Sequence, residues 1–301
     1  SLRLYFYWQV NKEKFMTIDY KMGMFIGLAI GDALGAPLEF KEAREPDNYL
    51  TQFTTGGVHN VSVGEWTDDT SMALAMATSL IEKQKFDADD IMNNFCKWYQ
   101  EGEFCTRDKC FDIGNTVFTA LSSYSESLKN NQYSQPYRGR TSEDTSGNGA
   151  LMRMAPVIMI SRNPHEAIKL ALQQTLLTHG SELCVQYSVM LAEELFHGYA
   201  CKKYDDFKLN LDIDRNDVMS GGFVKETYEC AWWAFETTNT FEDCIIKAVN
   251  RGHDSDTVGA VAGMIAGRQY GLSNIPQYYK DNLIMYEELH AIALKLSKFY
   301  Q

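Results

Sequence analysis

The chain has 301 residues, 45% hydrophobic and 23% charged, enough for a sizeable buried core within one large domain. Its formal charge of −12 speaks against a general nucleic-acid binder, although bound cations can invert the local field and admit a phosphate-bearing ligand. The 7 cysteines are an odd set with no C-x-x-C, which argues against a disulfide framework or a structural zinc and for reduced thiols in a cytoplasmic setting.

Residues 1–20 read as an aromatic tail, carrying Tyr5, Phe6, Tyr7 and Trp8, and residues 21–301 as the domain. The chain opens on Ser1, so a processed end or an internal start at Met16 are both consistent with it. Arg3, Lys12, Glu13 and Lys14 interrupt the tail, and no small-residue cleavage site follows, unlike a secretory signal. No apolar run is expected to reach membrane-spanning length.

In Gly27–Glu39 (GLAIGDALGAPLE) the glycines permit close approach between helices or to a ligand. Pro37 should end that helix and leave Glu39 on the following loop. A helix apolar almost all round, hence buried, is predicted over Asp69–Lys83, and another over Phe86–Tyr99 capped by Asp87. Phe111–Thr116 and Ser146–Arg153 are glycine-containing turns leading into helices, and amides at such termini bind anions well. Asn130–Asn148 has the composition of an exposed loop or lid. Further helices are predicted over Pro164–Thr178 and Glu182–Phe196, punctuated by His179-Gly180, then over Phe223–Glu236 and Phe241–Asn250. Between them Lys202–Ser220 is a polar connection. Its Asp212, Asp214 and Asn216 begin like a calcium loop, but Asp217 and Phe223 replace the glycine and glutamate such a loop needs. Thr257–Tyr270 is a small-residue helix suited to very close packing. Strand-like alternation is scarce, so the expected fold is all-α: a compact single-domain, multi-helix protein.

Two acidic clusters carry the chemistry. Thr67-Asp68-Asp69-Thr70 and Asp254-Ser255-Asp256-Thr257 each place two carboxylates and a hydroxyl at a helix start. Capping explains one carboxylate per helix; a second, beside it and opening an apolar helix, is repelled unless a countercharge is present. Hard divalent cations supply that charge and prefer oxygen ligands, so a two-metal site with Mg²⁺ or Mn²⁺ fits better than zinc.

Taken in order, G-D-A-L-G-A-P-L-E, T-D-D-T-S-M, F-D-I-G-N-T, G-N-G-A-L-M-R, T-H and G-H-D-S-D-T form a series that resembles the ADP-ribosylglycohydrolase family. The likeness is strongest to the branch that reactivates dinitrogenase reductase, and it covers about Met22–Gly271. The resemblance implies an all-α hydrolase that removes ADP-ribose from a modified protein, most of all from arginine. It puts two divalent cations, Mg²⁺ or Mn²⁺, on Thr67, Asp68, Asp69, Asp254, Asp256 and Thr257. It puts catalytic carboxylates on Glu39 and Asp112, diphosphate- and ribose-binding turns on Gly114, Asn115, Asn148 and Gly149, and His179 near the adenosine. His253 departs from the pattern, standing where many relatives carry glycine. A different role on the same scaffold is an immunity or binding protein that blocks an ADP-ribosylating toxin, with the aromatic tail inserted into that partner. Neither nucleic acid nor a membrane is expected as a partner.

Overall fold

A computed structural model describes residues 16–130, 135–198 and 213–299; residues 1–15 of the tail and part of the two polar connections lie outside the described residues. The helices are α1 (Ile18–Gly35), α2 (Asp68–Lys83), α3 (Ala88–Glu101), α4 (Asn115–Lys129), α5 (Ala155–Met159), α6 (Pro164–Leu176), α7 (Glu182–His197), α8 (Val224–Glu236), α9 (Phe241–Val249), α10 (Ser255–Tyr270), α11 (Gln277–Asn282) and α12 (Tyr286–Ser297). Among the described residues there is no strand, only isolated bridges such as Arg140 with His179. The all-α expectation holds, and one contiguous apolar core runs through the helices.

Local chemistry sets most of the boundaries. Asp87, Asn163 and Ser181 each accept a backbone N–H from the first turn of the helix they precede. Gly102 closes α3 in the left-handed region, and Pro37 follows α1 at the predicted place. α1 begins at Ile18, capped by Thr17.

At the centre α1 packs antiparallel against α10, the most extensive helix pair of the molecule. Gly23, Gly27, Gly31 and Gly35 recur every fourth residue and share one face of α1. A Cβ at Gly27 would collide with the carbonyl of Gly263, one at Gly31 with that of Gly259, and one at Gly35 with that of Ser255. The two backbones therefore touch directly. This register lays the C-terminal end of α1 beside the N-terminal end of α10, which brings the Asp32–Glu39 segment to Asp254–Thr257.

The expectation that no segment reaches membrane-spanning length needs correction. Ile18–Leu38 is long and apolar enough, with mean hydropathy 1.2, but 94% of it is buried inside the protein. Its Ile, Leu, Met, Phe and Ala residues give it the hydropathy of a spanning helix, and α10 and the surrounding core cover it instead.

Candidate active site

α2 reaches the end of the α1–α10 pair through Asp32, a fully buried carboxylate on α1. It accepts hydrogen bonds from the Thr67 amide (2.9 Å) and hydroxyl (2.9 Å), and from the Thr70 amide (3.0 Å) and hydroxyl (2.6 Å). Those bonds dock the start of α2 on α1. Burial nevertheless raises the Asp32 pKa to about 6, with the four hydrogen bonds opposing it.

The acidic clusters now meet. The Thr67 hydroxyl lies 3.2 Å from both Asp69 Oδ2 and Asp256 Oδ2, although residues 67 and 256 are 189 apart in sequence. Oxygens of Asp68, Asp112 and Asp256 all lie within 4.8 Å of one another. Neither Thr67 nor Asp254, the residues that stand at the two helix starts, caps its helix with a side-chain hydrogen bond. Capping therefore does not account for either cluster. Asp69 Oδ1 is buried with no hydrogen-bond partner, and among the described residues no Lys or Arg pairs with Asp68, Asp69, Asp254 or Asp256. Burial, then the neighbouring acids, push the carboxyls of Asp68, Asp69 and Asp256 far above the usual range; burial raises Asp254 too. Such a nest of uncompensated carboxylates suits cations held by oxygen, and the donor set of acids and hydroxyls fits hard divalent ions.

A cavity of about 640 Å³ opens over the acids. Of the candidate residues, Glu39, Asp68, Asp112, Gly114, Asn115, Asn148, Gly149, His179, Asp254, Asp256 and Thr257 line it, while Thr67 and Asp69 sit beneath its floor. One wall is the start of α4, where Gly114 offers no side-chain cap and leaves first-turn amides for an acceptor. The adjoining wall is the 146–153 turn, whose Gly147 and Gly149 pack close to Thr116 and Val117 of α4. Asn148 donates 2.8 Å hydrogen bonds to Asp254 Oδ2 and the Thr227 hydroxyl, so it braces an acid as well as lining the cavity. His179 is buried beside Gly147 and Gly149. Its Nδ1 lies 2.7 Å from the Thr178 hydroxyl, which already accepts from Arg153 at 2.6 Å. Donation by Thr178 to Nδ1 would leave the ring proton on Nε2, beside those glycines.

His253 adopts φ +55°, the left-handed region where glycine is the ordinary choice. It joins Phe40, itself at φ +57°: the Phe40 amide donates to the His253 carbonyl (2.6 Å) and the His253 amide to the Lys41 carbonyl (2.8 Å). These bonds lock the loop after Glu39 to the loop before Asp254.

Two residues escaped the sequence reading: Asp32 and His59. His59 Nε2 sits 2.9 Å from Glu39 Oε2 and 3.2 Å from Asp112 Oδ2. Its N–H aligns with neither oxygen, so the contact is an ion pair shared by two acids. The Asp112 and Glu39 carboxylates raise its pKa to about 10 against the opposing cost of burial. A single histidine in a glycine turn gave no signal.

The helical bundle thus places an acid-floored cavity at the meeting point of three helix ends. A family model described as ADP-ribosylglycohydrolase matches residues 17–301. The ADP-ribosylarginine hydrolase Tri1 of Serratia proteamaculans (strain 568) is 34% identical over 93% of this chain and 79% of its own length. The ADP-ribosyl-[dinitrogen reductase] glycohydrolase of Rhodospirillum rubrum is 31% identical over 89% and 91%. A solved structure titled ADP-ribosylglycohydrolase-related protein complex superposes with TM-score 0.78 at 33% identity, covering 94% of this chain and 99% of that one. The chain belongs to the ADP-ribosylglycohydrolase family, and it is a hydrolase of that family.

Proposed function

We propose that the protein hydrolyses the N-glycosidic bond between ADP-ribose and an arginine side chain of a modified protein, with two divalent cations, Mg²⁺ or Mn²⁺. The observation that carries this is the convergence of Asp68, Asp69, Asp256, Thr67 and Thr257, all buried, with half-buried Asp254, none of the acids paired with a Lys or Arg among the described residues, at the floor of a cavity of about 640 Å³. The names of the Serratia and Rhodospirillum relatives support the substrate. Free thiols at the six described cysteines support a cytoplasmic setting.

Thr67, Asp68, Asp69, Asp254, Asp256 and Thr257 would hold the cations, which when bound supply orientation of the ribose hydroxyls and a water of lowered pKa. Amides at the start of α4, near Gly114 and Asn115, meet the diphosphate, with the Asn148–Gly149 turn beside them. His179, held neutral, bounds the adenosine side. Asp112 or Glu39 takes the proton of the attacking water or orients the leaving group. A bond forms from that water to ribose C1″, the bond from C1″ to the guanidine nitrogen breaks, and the nitrogen takes up a proton.

The test is release of ADP-ribose from arginine-modified protein with Mn²⁺ or Mg²⁺, beside serine- and aspartate-linked substrates. The arginine linkage should be cleaved fastest. Asp68→Ala combined with Asp256→Ala should bring turnover to background, and retained activity overturns the metal assignment. Asp112→Asn should lower kcat by about 10²–10⁴-fold.

A further inference from the structure

We infer that His59 is a positioning residue that sets the spacing of Glu39 and Asp112, and that Arg107 is what fixes His59 in place. This rests on the hydrolase reading above, since it assigns the support of that reading's two catalytic carboxylates. Glu39 follows α1 and Asp112 precedes α4, and His59 Nε2 lies within 3.2 Å of an oxygen from each. Both carboxylates line the cavity, whereas His59 does not, so the imidazole stands behind them and acts through them. It is also the single cationic partner they have among the described residues, with Asp254 a further acid facing Glu39. Without it the two acids repel one another and either splay apart or share a proton, and in both cases the carboxylate that works on water is misplaced.

His59 is itself held. The Arg107 guanidinium donates to the His59 carbonyl at 3.1 Å and to the Asn60 carbonyl at 3.2 Å. The same group grips buried Glu65 through two bonds of 2.7 and 2.8 Å, and Glu65 accepts from the Ser62 amide at 2.7 Å. Arg107 also lies 4.0 Å over the Phe111 ring, which meets the His59 ring edge-on with centroids 5.7 Å apart. Phe111, immediately before Asp112, is thus clamped between the two side chains. One arginine thereby ties the loop that carries His59 to the segment that carries Asp112.

The experiment compares wild type with His59→Gln, His59→Ala and Arg107→Lys, each checked for native helicity and thermal unfolding. Steady-state hydrolysis of ADP-ribosyl-arginine, calorimetric Mn²⁺ affinity and calorimetric ADP-ribose affinity are read for each. Both His59 variants should lose about 10–100-fold in kcat. KM, Mn²⁺ affinity and ADP-ribose affinity should stay within about threefold of wild type, because the binding groups are untouched. Arg107→Lys keeps the charge but not the forked grip, so it should lose kcat in the same direction. Folded His59→Ala with wild-type kcat overturns the inference, as does a loss confined to KM or to Mn²⁺ affinity. Failure of the hydrolase reading is a separate outcome, visible as wild type inert towards every ADP-ribosyl linkage.

Discussion

The cavity's own histidine has its titration fixed by what surrounds it. Burial, then the nearby Arg153 guanidinium, pull His179 down from 6.5 to about 3, so the folded protein refuses a proton that the unfolded chain accepts. Its contribution to stability is therefore complete above about pH 6.5 and is lost as pH falls towards about 3, at up to about 1.4 kcal/mol per pH unit. His179→Gln removes that dependence. In urea unfolding from about pH 7.5 to about pH 4.5, the stability gap between wild type and variant should shift in favour of the variant as pH falls; a gap constant with pH counts against the assignment. His179 could be read in the sequence because it stands in a recognisable pair. Asp32 and His59 could not, because what they do depends on partners far along the chain. The oxygens of Asp32 are claimed by residues 35 and 38 positions later, and His59 meets Glu39 and Asp112 only through the fold.

Among the elements, α1 and α10 set the geometry of the site, and their glycines are sterically required. Gly31→Ala would drive a methyl into the Gly259 backbone, with no flexible side chain to give way. The expected cost is about 3 kcal/mol or more, or failure to accumulate soluble protein. Gly114→Ala is the contrasting case: its φ is −68° and a Cβ there meets nothing within 4 Å, so the variant should unfold at the wild-type midpoint. Thermal unfolding of the pair decides the matter. Most helix positions were legible because polar caps such as Asp87, and Pro37, punctuate them. α12 was not, because Met285 precedes it in the left-handed region with no side-chain cap, and nothing in the local sequence announces that turn. The small residues of α10 foretold close packing, but only the fold reveals that glycines of α1 are what they pack against.

On the scale of the whole molecule, buried acids without countercharge make the metal-free protein less stable than its core allows. Asp256→Asn removes one of the mutually repelling charges and should raise the unfolding temperature in chelator. With Mn²⁺ the order should reverse. A ligand at about 100 times its dissociation constant contributes about 2.7 kcal/mol to wild type, and the variant should gain less. Calorimetric scans with EDTA and with Mn²⁺ test both halves; equal gains would remove Asp256 from the ligand set. That the acid-rich clusters could hold a cation was readable because two adjacent carboxylates opening an apolar helix are costly without a countercharge. That His59 lies between Glu39 and Asp112 was not readable, since the contact is made by packing between loops.

The antiparallel contact of α1 with α10 has one more consequence, for when the protein becomes an enzyme. The helix pair that lays Gly31 against Gly259 is also what brings Asp256 within reach of Thr67. A nascent chain that has emerged only as far as α9 therefore carries Glu39, Asp68, Asp112 and His179 yet has no reaction centre. Competence requires the tenth helix to be seated, so a chain truncated before α10 should show no turnover.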